Sequence, residues 1–177
     1  EAIAVKPPSS VSSKAAPEKG FVLVTIDKDG KAFLSMDDED KKQYVAQALN
    51  SAPLSLGIDE NEFVKAEFFG VPFNKLKQFL AIPKADRAKV QMEGIPCKDS
   101  TNNEMTKWLE LIKVSYSGQK MPLLLKGDNS SKYPTFKYVL EALKKNDILK
   151  FQLVTNPEGV PEGSELFKKH LKGEKEE

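Results

Sequence analysis

Residues 122–155, PLLLKGDNSSKYPTFKYVLEALKKNDILKFQLVT, constrain the fold of this chain more than any other stretch. A short apolar run, Pro122 to Lys126, meets a polar turn. An amphipathic segment follows, and a second apolar run, Lys150 to Thr155 (KFQLVT), closes the unit. Pro134 suits a first helical position, where a missing N–H leaves nothing unsatisfied. Phe136, Val139, Leu140 and Leu143 then recur at helical spacing and predict the buried stripe. Asn146 is placed for a left-handed C-cap, with Ile148 set to pack back on the last turn. A crossover of this length through a helix lets the two strands lie parallel in one sheet.

Strand–loop–helix units also hold phosphate in many nucleotide-binding proteins, which makes the loop GDNSSKYPT a candidate for that chemistry. A phosphate loop needs backbone amides ringed by glycines and a Lys followed by Ser or Thr. Here there is one glycine, Gly127, and Lys132 is followed by Tyr133. The Gly-x-Gly-x-x-Gly fingerprint of dinucleotide sites is missing as well. Asp128, Asn129 and Ser130 are therefore expected to accept backbone hydrogen bonds and shape the turn.

The first half opens with two strand-type runs, Phe21 to Ile26 (FVLVTI) and Lys31 to Leu34 (KAFL). The intervening DKDG places Gly30 where a tight hairpin needs positive φ. A calcium loop centred on Gly30 would put Thr25 and Met36 at its first and twelfth positions. Neither supplies the ligands required, so the reading is a hairpin. Asp37, Asp38 and Asp40 crowd the start of a helix expected from Asp38 to Leu49, where acids oppose the helix dipole. Tyr44, Val45, Ala48 and Leu49 are expected on its buried face. In the long middle region, Pro72 can open a helix lined by Phe73, Leu76, Phe79 and Leu80. Thr101-Asn-Asn-Glu104 fits a capping box, and Met105, Trp108, Leu109 and Ile112 follow at i, i+3, i+4, i+7. These stripes predict core packing.

Composition removes several functions. The 27 basic and 26 acidic side chains leave a net charge of +1, too small a field for nucleic-acid binding. No run reaches the roughly 18 apolar residues of a membrane span. A single cysteine, Cys97, makes neither an internal disulfide nor a thiolate zinc cluster. The one histidine, His170, lies in the charged C-terminal region, without an orienting partner for nucleophilic catalysis. No catalytic residue, metal site or cofactor is expected, and the chain is read as not an enzyme. It starts at Glu1 without an initiator Met, and is expected to be the soluble part of something longer.

The pattern of residues 122–155 resembles the most recognisable part of the periplasmic domain of the ExbD/TolR biopolymer-transport family. Members show a strand ending near an Asp, a few polar residues, a Tyr, an amphipathic helix, then a "gi-k-v-lvt" strand. Asp128, Tyr133, Val139, Leu140, Leu143, Ile148, Lys150, Leu153 and Val154 occupy the matching places. The hairpin VLVTIDKDGKAFL, with acids behind it, is similar to the family's opening strands. The Pro- and Ser-rich segment before it is what stands just outside a membrane anchor. The agreement runs from linker to last strand over roughly half the chain. Two departures stand out. Residues 52–118 replace what is usually a short connection, and the family's membrane helix, with its acidic residue, is absent. No proton-pathway residue is therefore assigned.

The resemblance implies an α+β fold, a small mixed sheet with helices packed on one face, plus a mainly helical insertion. The expected organisation is a flexible linker over 1–20 and the first part of the domain over 21–51. The insertion follows over 52–118, then the second part of the domain over 119–157 and a polar tail over 158–177, with a short helix around Ser164 to Leu171. It also implies a periplasmic domain tethered to the inner membrane, an accessory subunit of a proton-motive-force-driven complex. Implied partners are a second copy of the chain in a homodimer, an ExbB/TolQ-type channel subunit, a TonB- or TolA-type protein, and peptidoglycan. The candidate pairing strand, read from its position after the helix and its alternating β-branched character, is Lys150, Phe151, Gln152, Leu153, Val154 and Thr155. The alternatives are a nucleotide- or small-ligand-binding α/β domain, or a peptidoglycan-binding structural module.

Overall fold

A computed structural model of the chain describes residues 20–127 and 134–155. The expected tail helix, His170, and the turn residues Asp128, Asn129 and Ser130 lie outside the described residues. So do Tyr133 and all of the 1–20 linker except Gly20. No described helix is long and apolar enough to cross a membrane.

Alternating apolar residues build the opening hairpin, β1 (Val22–Ile26) and β2 (Ala32–Met36), paired antiparallel with Val24 opposite Leu34. Gly30 has φ +78°, as the turn requires. Asp27 Oδ1 accepts the amides of Asp29 and Lys31, both at 2.9 Å, so this carboxylate is spent on shaping the hairpin. Helix α1 (Glu39–Asn50) follows, with Asp38 as N-cap accepting from Lys41 N. Its buried stripe is Lys42, Val45, Ala46 and Leu49, whereas Tyr44, expected inside, is 42% exposed. The stripe is rotated because a lysine enters it: Lys42 is buried and donates from Nζ to Ala66 O at 2.7 Å.

The middle region folds as α2 (Glu60–Lys65), α3 (Phe73–Ala81), α4 (Lys84–Arg87), a short hairpin of β3 (Cys97–Asp99) and β4 (Asn102–Asn103), and α5 (Glu104–Ser115). Phe73, Leu76, Phe79 and Leu80 are buried on α3, and Met105, Trp108, Leu109 and Ile112 on α5, as their spacing predicts. Phe63, Phe69 and Phe73 group around Trp108, with ring centroids 6.0, 5.2 and 5.5 Å away. These side chains belong to the same buried cluster as the sheet's apolar face. The capping box is displaced. Asp99 Oδ1 takes the Thr101 hydroxyl and the amides of Thr101 and Asn102, so Thr101 is held in the β3–β4 turn. Asn103 caps α5 instead, accepting from Thr106 N.

β5 (Leu123–Gly127), α6 (Thr135–Lys145) and β6 (Gln152–Thr155) complete the domain. Pro134 stands one residue before its expected place, at the N-cap of α6. Thr135, Val139, Ala142 and Leu143 are buried, and Phe136 and Leu140 pack half-buried against the core. At the other end Asp147, not Asn146, takes the left-handed conformation (φ +56°). Ile148 N donates to Leu143 O at 2.9 Å and Asp147 N to Lys144 O at 3.0 Å, a Schellman ending with Ile148 buried behind it. Asn146 is used differently: its Nδ2 donates to Thr106 O on α5 and to Ala142 O.

The sheet order is β2-β1-β5-β6, with β1, β5 and β6 mutually parallel and β2 antiparallel to β1. Val22, Val24, Ile26, Leu34, Leu125 and Leu153 share the face buried against α1, α5 and α6. The chain is a small mixed α+β domain, as the resemblance implied.

Candidate partner-binding site

β2 and β6 are the two outer strands of the sheet. On β2, Leu34 exchanges backbone hydrogen bonds with Phe69: Leu34 N donates to Phe69 O at 2.9 Å, and Phe69 N to Leu34 O at 2.7 Å. Ile95 N then donates to Ala32 O at 2.8 Å, and Gly94 N to Gly70 O at 2.7 Å. The segments before α3 and before β3 thus lie along β2 and extend the ladder by a bridge. Gly70 is required by contact: a Cβ there would stand 2.3 Å from Phe33 Cδ1. That ring packs directly on the Gly70 backbone.

β6 ends the strand order on the other side. It runs parallel to β5 with Leu124 opposite Gln152, Leu125 opposite Leu153, Lys126 opposite Val154, and Gly127 opposite Thr155. Of the six candidate residues, Gln152, Leu153, Val154 and Thr155 form the strand. Lys150 and Phe151 precede it, two residues short of the expected start, because the Schellman turn consumes Asp147 and Ile148 before the chain can extend. Leu153 points into the core, Gln152 and Val154 lie half-buried on the opposite face, Phe151 packs half-buried against the core, and Lys150 is exposed.

A cleft of about 1110 Å³ lies elsewhere, between the β1–β2 turn, the residues before β3 and the start of α6. Its lysines, Lys31, Lys75 and Lys98, share it with Asp29, Glu93 and Glu104, and Lys75 is bound to Glu93 at 2.6 Å. Glu104 was missed as a positioning residue by the capping-box reading. Its Oε1 accepts the Phe73 amide at 2.8 Å, supplying the cap that Pro72 cannot give α3. Burial pushes the Glu104 carboxyl above its ordinary value, and the bond from Phe73 N opposes this in part. Cys97 also lines the cleft. Burial, aided by the Glu141 charge, pushes its thiol up to about 12, so it holds no nucleophilic thiolate near neutrality.

One further buried cation was not legible from spacing. Arg87 on α4 is 3% exposed and donates to Glu62 Oε1 at 2.6 Å, Ile82 O at 3.0 Å and Leu80 O at 2.9 Å. It ties α2, α3 and α4 together. Among the described residues no group of three or more His, Cys, Asp or Glu is placed to hold a metal ion.

A family model described as "Biopolymer transport protein ExbD/TolR" matches residues 1–158. No curated protein and no solved structure matches the chain.

Proposed function

This chain belongs to the ExbD/TolR biopolymer-transport family, and from that premise we propose that it is the partner-binding periplasmic domain of an energy-transducing inner-membrane complex. Proteins of the family are transport subunits rather than typical enzymes, anchored in the inner membrane with a periplasmic domain. On this reading a membrane helix beyond the chain meets an ExbB/TolQ-type channel subunit. The domain dimerises and receives an extended segment of a TonB- or TolA-type protein, and proton motive force drives the cycle.

The observation that carries the reading is the place of the candidate strand: Gln152–Thr155 folds as β6, the last strand in the order β2-β1-β5-β6. β-Augmentation adds an extended peptide to the end of a sheet, with main-chain bonds supplying affinity and alternate side chains specificity. Lys150, Phe151, Gln152, Leu153, Val154 and Thr155 are the residues we assign to this contact. Cysteines introduced at Lys150 and Val154, set against cysteines in the periplasmic segment of a TonB- or TolA-type protein, test it. Disulfide adducts at these positions, with none from a cysteine at Ser35 on β2, are expected. Adducts at Ser35 alone, or none at either strand, would sink the assignment.

A further inference from the structure

Resting on the reading of a domain tethered at its N-terminus and bound at β6, we propose that the sheet is a link that carries tension lengthwise. Load enters through a clamp at Gly20 and crosses β1, β5 and β6 in shear. The three strands are parallel neighbours, with Val22–Ile26 beside Leu123–Gly127 and Leu124–Gly127 beside Gln152–Thr155. The chain therefore enters β1 at one end of the sheet and leaves β6 at the other.

A pull between those two ends runs along the strands. Ladder bonds reach across the strands at even spacing, so a lengthwise load falls on all of them together. A load across the strands opens the same ladder one pair at a time. Packing adds to the lengthwise resistance. Leu125 and Leu153 stand opposite each other on the core face. Sliding β6 by one residue would put Gln152 or Val154, which lie half-buried on the other face, in the place of Leu153.

The entry point is secured separately. Gly20 turns with φ +76°, and side chains hold both of its backbone polar groups. Its N donates to Asp37 Oδ2 at 2.9 Å, and its O accepts from the Tyr116 hydroxyl at 2.8 Å. Asp37 leads into α1, and Tyr116 is the C-cap of α5. Lys41 steadies the ring: its Nζ lies 5.2 Å from the Tyr116 centroid and donates to Gln119 Oε1 at 2.8 Å. One residue on, Asp37 N donates to Phe21 O at 3.1 Å, and Val22 N to Pro122 O at 2.9 Å. A pull arriving at Gly20 is thus shared with the ends of two helices before it reaches the β1 ladder.

The test pulls single molecules of the full 177-residue chain between pairs of introduced cysteines. No partner is present, so the outcome does not depend on whether β6 binds a peptide, which the adducts at Lys150 and Val154 decide. Cys97, 1% exposed, stays out of the coupling. Handles at Glu1→Cys and Val154→Cys load the sheet lengthwise. Handles at Lys28→Cys and Val154→Cys sit at the same end of β1 and β6 and peel the strands apart. Forced unfolding follows the barrier along the pulled direction. The lengthwise pull is therefore expected to need a several-fold higher force at the same loading rate. In the double variant Asp37→Ala, Tyr116→Phe, the lengthwise force is expected to fall and the peeling force to hold, because Gly20 bears no load when the chain is peeled. Equal forces in the two directions, or a higher one for peeling, would overturn the proposal. So would a double variant that weakens both pulls alike, or that leaves the lengthwise force unchanged.

Discussion

Tyr116 closes the N-terminal end of the sheet through its hydroxyl, and its proton reports on that closure. Burial first, then the charges of Asp38 and Asp37, push the phenol from 10.0 up to about 12. The folded state therefore keeps a proton that the unfolded chain releases, so the contribution is whole below about pH 10 and is lost as pH rises toward 12. Denaturant titrations across that window are expected to show native stability falling more steeply than that of Tyr116→Phe. At neutral pH the same substitution is expected to cost about 1 kcal/mol for the bond to Gly20 O. Glu104 gives a second contrast. Glu104→Ala strips the acceptor from Phe73 N and is expected to cost roughly 1–2 kcal/mol in chemical denaturation. Glu104→Gln keeps an acceptor and no charge. Since burial raises this carboxyl above 4.5, the folded state loses stability as pH climbs through the raised value, and the Gln variant is expected to show a flatter profile there. Neither role was legible from spacing: the capping-box pattern ignores Asp99, whose single oxygen outcompetes Thr101's cap by gathering three donors.

Helices and strands were more legible than their ends. The stripes of α3 and α5 hold because period-3.6 apolar residues bury whatever the ends do. The end of α6 moved by one residue because Asn146 is worth more as a donor to Thr106 O and Ala142 O than as a left-handed cap. Asp147 then bears the positive φ, at a cost glycine would not incur. Asp147→Gly is expected to raise stability by about 0.5–1 kcal/mol in thermal or chemical unfolding. The junction between β2 and the middle region carries the opposite prediction. Gly70→Ala drives a methyl into the Phe33 ring and is expected to cost about 1–3 kcal/mol. Hydrogen exchange at the Leu34 and Phe69 amides is expected to accelerate more than exchange at β5 or β6.

For the molecule as a whole, the order of parts was readable and the contacts of the middle region were not. Local pattern marks the strand–helix–strand unit and the hairpin, and the resemblance joins them in the mixed sheet that is observed. Nothing local says that Phe69 will bridge Leu34, or that Phe63, Phe69 and Phe73 will gather around Trp108, because these are pairings between distant residues. Phe69 and Ile95 lie along β2, and we assign the partner strand to β6 at the other end of the strand order. Amide hydrogen exchange of the chain, with and without an extended peptide from a TonB- or TolA-type protein, asks the question most directly. Slowed exchange within Gln152–Thr155, with Ala32–Met36 unchanged, is the predicted result. Protection confined to Ala32–Met36, or no change in either strand at saturating peptide, would contradict the account.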